Sequence, residues 1–123
     1  NASVQTAGIA ALRETKDDVL FMNETYNKRR KYMIKRLKEL GFGIPVEPTG
    51  AFYIFANAKH ISEDSYKLAF DILEKAHVGV APGIDFGECG EGYLRFSYAN
   101  SIKNIETGLD RLEKYLRDRK LIQ

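Results

Sequence analysis

The sequence predicts an α+β domain of two layers, a mostly antiparallel sheet with helices on one face, and three observations carry that prediction. Apolar residues recur at helical spacing in four segments, four β-type runs lie between them, and Gly- or Pro-containing turns separate the two kinds of stretch. At 123 residues, with 44% hydrophobic and 29% charged, the chain fits one domain spanning 1–123 with an ordinary soluble core.

Taken in order, Asn1 to Glu14 is rich in small residues and places Val4, Gly8, Ala11 and Leu12 on a helical face. A longer helix follows from Asp17 to Leu40. Asp17 and Asp18 suit its positive N-terminal end, Val19, Met22, Tyr26, Met33, Leu37 and Leu40 form one stripe, and Gly41 stops it. The period then changes, and Ile44–Val46 and Ala51–Ala56 read as adjacent strands around the turn Glu47-Pro48-Thr49-Gly50. Both faces of Phe52-Tyr53-Ile54-Phe55 are apolar or aromatic, which predicts a central strand covered on both sides.

Ser62 is placed to cap a helix with Glu63 and Asp64 in its first turn and Leu68, Ala69, Ile72, Leu73 and Ala76 on its apolar face, ending near His77. Val78-Gly79-Val80 reads as a brief strand. Pro82-Gly83 opens a loop with Gly87, Gly90 and Gly92, read as a flexible approach to a strand over Tyr93–Ala99. Ser101 caps a last helix bearing Ile102, Ile105, Leu109, Leu112 and Leu116. The predicted order is ααββαββα.

Several function classes lose support from composition. A net charge of +2 gives no global field for nucleic acid. The one dense basic run, Lys28-Arg29-Arg30-Lys31 with Lys35, Arg36 and Lys38, could mark a small nucleic-acid module. However, Glu24 and Glu39 flank it and Tyr26 and Met33 share its helix, as on a solvated helix face. His60 and His77 are far apart and form no metal-ligand pattern, and the single Cys89 excludes an internal disulfide and leans towards the cytoplasm. No run approaches the roughly 20 apolar residues of a membrane span. The absence of an initiating Met and the start within a helical segment are what an excised piece of a longer protein would show.

The segment from Gly92 to Ala99 is the most informative. Strand alternation puts Leu94, Phe96 and Tyr98 on one face and Tyr93, Arg95 and Ser97 on the other, so that Arg95 is a lone cation in a β run. Its planar fork of donors suits a carboxylate held through two parallel hydrogen bonds. Alternatively, Arg95 is an edge-strand arginine whose stem packs while its head is solvated. Cys89 has no basic neighbour in sequence and reads as an idle thiol.

Three stretches supply context: Pro48-Thr49-Gly50-Ala51-Phe52-Tyr53, Val78 to Gly87 with its Pro82-Gly83 and Phe86-Gly87, and Gly90 to Ala99. In order and spacing they resemble the C-terminal region of class I/II aminotransferases of fold type I, the aspartate aminotransferase type. Gln5 to Leu12 is similar to the stretch that follows the cofactor lysine in that family, and Tyr26 to Arg30 to its Y-x-x-R-R. The resemblance implies a C-terminal small domain without its large, cofactor-binding domain. It implies that Arg95 grips the α-carboxylate of an amino-acid or 2-oxo-acid substrate and that Phe52 and Tyr53 lie near the substrate pocket, with core packing the alternative for at least one of them. The parent would be a cytoplasmic homodimer transferring an amino group through pyridoxal 5'-phosphate, with aspartate and 2-oxoglutarate as the default pair and an aromatic or alanine substrate left open. The Schiff-base lysine of the family has no counterpart here, so the chain alone is expected to bind no cofactor, to be inactive, and to self-associate through an exposed interdomain face. A ligand-sensing domain of a transcription regulator, a carbon–sulfur lyase and a cyclopropane-carboxylate synthase of the same fold share much of this pattern.

Overall fold

A computed structural model describes residues 1–122. Four α-helices and three strands run in the order α1 (Ala2–Glu14), α2 (Lys16–Glu39), β1 (Tyr53–Asn57), α3 (Ser65–Ala76), β2 (Ala81–Pro82), β3 (Tyr93–Ser97) and α4 (Ile102–Asp118). Two short 3₁₀ turns, Gly83–Phe86 and Glu88–Gly90, lie between β2 and β3. The sheet is antiparallel throughout, in the order β1-β3-β2, and its register sets Phe55 opposite Arg95 and Ala81 opposite the same residue on the other side.

The core lies between one face of this sheet and the helices. Ile54, Ala56, Leu94 and Phe96 point inward, where they join Leu37 of α2, Ile72 of α3 and Leu112 and Leu116 of α4, all of them buried. At the start of α4, Ser101 Oγ accepts from the amide of Asn104 at 3.1 Å, satisfying one of the free donors at the helix end. α2 ends as predicted at Gly41, whose φ of +85° a side chain would resist. The Phe42 amide donates to the Leu37 carbonyl and the Gly41 amide to Lys38, while the buried Phe42 and Leu37 side chains close the contact.

Four expectations are corrected. Ile44–Val46 is not a strand, since Pro45 removes a ladder donor and all that forms is an isolated bridge between Gly43 and Asn57. Val78–Val80 is not a strand either; Val78 and Val80 pack on the core and pairing with β3 begins at Ala81. The order is therefore ααβαββα, and the central strand is β3, with β1 at one side. Finally, α3 is capped by Asp64, whose carboxylate accepts from the Lys67 amide at 2.8 Å, while Ser62 Oγ accepts from the Asp64 amide. Glu63 thus precedes the helix.

The predicted stripe of α1 buries nothing: Val4 is 66% exposed and Leu12 90% exposed. Among the described residues no helix is long and apolar enough to cross a membrane.

Candidate functional site

The sheet face away from the core carries Tyr53 and Phe55 of β1 with Tyr93, Arg95 and Ser97 of β3, as the alternation in sequence predicts for the last three. Phe55 and Tyr93 stack with centroids 5.1 Å apart and planes within 5°. The guanidinium carbon of Arg95 lies over two rings, at 5.5 Å from the centroid of Tyr53 and 4.9 Å from that of Phe86. Such contacts hold a cation by the ring quadrupole without neutralising it.

Among the described residues nothing neutralises it. No carboxylate pairs with Arg95, and its Nε–H is buried with no acceptor. A buried donor left without a partner costs about 1–3 kcal/mol, so this Nε–H is a donor in want of an acceptor. Arg95 is not on an edge strand, since β3 is central, and its Nε is buried.

Phe52 and Tyr53 divide. Tyr53 reaches the guanidinium, whereas Phe52 stands beside it, half exposed, with its ring edge-on to Tyr53 at 5.7 Å. Neither is a core residue. The turn before them is held from below. Ala51 has a φ of +60°, unusual for a residue with a Cβ, and its carbonyl accepts from the hydroxyl of buried Tyr98 at 3.2 Å, while Arg30 donates to the Pro48 carbonyl at 3.1 Å. Burial pushes the Tyr98 hydroxyl above its ordinary pKa and keeps it a donor.

The loop between β2 and β3, expected to be flexible, is anchored at both ends. Ser65, fully buried, accepts from the Ile84 amide through Oγ at 3.2 Å, and one carboxylate oxygen of Glu91 accepts from the amides of Ser65 at 2.6 Å and Gly92 at 2.9 Å. Those backbone donors hold the Glu91 carboxyl below the usual carboxylate range. Gly83 and Gly90 face each other so closely that a Cβ on Gly83 would stand 1.9 Å from the Gly90 carbonyl oxygen. Sequence reasoning missed Phe86, Ser65 and Glu91; the Pro82-Gly83 and Phe86-Gly87 pairs mark the loop, but nothing local says that Phe86 reaches across to β3.

Other features are spoken for. A cleft of about 710 Å³ beside α3 is lined by Asp71, Lys75, Tyr115 and Arg119, and those four already pair with one another. Much of the basic run on α2 is similarly engaged: Arg36 with Asp110, Glu113 and Glu39, Lys38 with Glu47, and Lys35 with Glu39. Cys89 is exposed, and among the described residues no group of three or more His, Cys, Asp and Glu could hold a metal.

The profile of the family described as aminotransferase class I and II matches residues 1–112. An aspartate aminotransferase of Pyrococcus horikoshii is 48% identical over 95% of this chain and 30% of its own length. The aromatic-amino-acid aminotransferase 2 of Thermococcus litoralis is 40% identical over 97% of this chain and 31% of its own. Among solved structures, an aromatic aminotransferase from Pyrococcus horikoshii superposes with a TM-score of 0.85 at 40% identity, covering 89% of this chain and 29% of that one. The chain thus spans about 30% of the length of these relatives.

Proposed function

The chain belongs to the aminotransferase class I and II family, and from that premise we propose that residues 1–123 form the C-terminal small domain of an aminotransferase, in which Arg95 holds the substrate's α-carboxylate. The single observation that carries the reading is a guanidinium set on a central strand, flanked by aromatic rings, with a buried donor that no group among the described residues satisfies.

Class I and II aminotransferases depend on pyridoxal phosphate. The residues around Arg95 do not by themselves make a site for it. The ring contacts bring one lysine to this face, Lys59, an exposed ammonium 5.7 Å over the Tyr93 ring, without the desolvated pocket that makes lysine an imine-forming nucleophile. In this reading the cofactor is held by the large domain and acts as the electron sink for the reaction, and the chain alone is inactive.

What this chain contributes is orientation. A carboxylate gripped by a planar fork loses rotational freedom, and fixing a reactant in this way contributes up to about 7–11 kcal/mol in the best intramolecular cases. Tyr53 lies over the guanidinium and Phe52 stands edge-on to Tyr53, so both flank the approach to the fork. The substrate pair of the full-length protein is an amino acid with a 2-oxo acid, aspartate with 2-oxoglutarate first. An aromatic amino acid is the second reading, which the rings of Tyr53, Phe55 and Phe86 beside Arg95 favour. The full-length protein is expected to be a cytoplasmic homodimer.

The test is transamination by the full-length protein with aspartate and with phenylalanine, with 2-oxoglutarate as acceptor and cofactor absorbance recorded alongside. Arg95→Ala is expected to lower kcat/KM by about a hundredfold or more, the value of two charge-assisted hydrogen bonds, while the cofactor band stays. A variant as active as the parent would refute the role of Arg95.

A further inference from the structure

We propose that Phe86 is a positioning residue, a fixed ring that holds the Arg95 guanidinium in its working orientation before substrate arrives. Its catalytic consequence rests on the reading of Arg95 as the carboxylate grip.

Phe86 is 53% exposed, so packing within this domain gives no reason for a phenylalanine there. Its ring meets only the rim of the aromatic cluster, edge-on to Phe55 at 5.9 Å, and it lies over the Arg95 guanidinium at 4.9 Å, closer than Tyr53 does. The backbone beneath it is unusually determined for a surface turn. Phe86 closes the 3₁₀ turn Gly83–Phe86, the Gly83–Gly90 contact leaves no room for a Cβ on either side, and the Ile84 amide is tied to fully buried Ser65. A tied-down loop thus presents an exposed ring to a side chain whose buried Nε has no hydrogen-bond partner among the described residues.

An arginine free at its head carries much rotamer entropy, and a site that must order it on binding loses affinity accordingly. Ring contacts are the restraint this face supplies. Because they attract the cation without accepting its protons, the donor fork stays available for a carboxylate.

Two measurements test this, one independent of activity. On the chain itself, heteronuclear NMR relaxation of the Arg95 Nε–H should report a lower order parameter in Phe86→Leu than in the parent, and a parent-like value in Phe86→Tyr, which restores a ring face. In the full-length protein, Phe86→Leu should raise the KM for the amino acid about three- to tenfold with kcat held within about twofold. Phe86→Tyr should restore the KM, and Phe86→Leu should add nothing in an Arg95→Ala background. An unchanged Arg95 order parameter in Phe86→Leu overturns the proposal, as does a Phe86→Leu effect that persists in full without Arg95. If the full-length parent turns over no amino acid, the functional reading falls while the relaxation result still decides whether Phe86 orders Arg95.

Discussion

The two halves of α2 are one continuous helix and behave as two different structures. Its C-terminal half buries Met33, Ile34 and Leu37 in the core, whereas its N-terminal half, like all of α1, buries nothing and leaves Val19, Leu20, Phe21 and Met22 exposed. Both halves carry apolar residues at helical spacing, and both are helical. Helical spacing in the sequence marks a face that could be buried, whereas burial itself needs a partner surface. The core of this chain reaches α2 only from about Tyr26 onwards, where Tyr26 packs on it and meets Tyr98 edge-on at 6.1 Å.

Substitutions at positions of decreasing burial test that contrast. The largest effect is expected in the core: Leu112→Ala removes a side chain with no exposure and should cost about 2–5 kcal/mol in urea denaturation. A cost under about 1 kcal/mol would mean that the helical layer is not packed as described. Next comes the loop that presents Phe86. Gly90→Ala places a Cβ 2.2 Å from the Gly83 carbonyl oxygen and should cost about 1–3 kcal/mol in the same assay, with hydrogen exchange rising at the Ile84 amide. The smallest effect belongs to α1, where Leu12→Ser should change stability by less than about 0.5 kcal/mol. A larger loss there would show that α1 finds a packing surface in solution, such as a second copy, and sedimentation across concentrations would tell which.

The elements legible in the sequence were those whose signal is local. The stripe of α4 from Ile105 to Leu116, the end of α2 at Gly41, the Ser101 cap and the inward and outward faces of Tyr93–Ser97 all follow from residues within a turn or two of each other. So did the outward placement of Arg95. Ile102, expected on the α4 stripe, is instead exposed. What escaped is set by contacts between distant residues. β2 is two residues long and exists because Ala81 and Pro82 fall opposite Arg95 and Leu94, a pairing that Val-Gly-Val next door mimics in composition. The apolar run Phe52–Phe55 suggested a central strand, yet β1 is at the side, and its second apolar face belongs to the ring cluster around Arg95. Phe86 was invisible as a contact because its partner is nine residues on and across a folded loop.

The register of β1 on β3, with Phe55 opposite Arg95, has a consequence for folding fidelity as well as for the site. A slip of one residue between the two strands would exchange the faces of β3 and drive the guanidinium under the helices among Ile54, Ile72 and Leu112, where no carboxylate waits for it. A slipped pairing of β1 on β3 is therefore disfavoured by the charge that Arg95 would carry into the core.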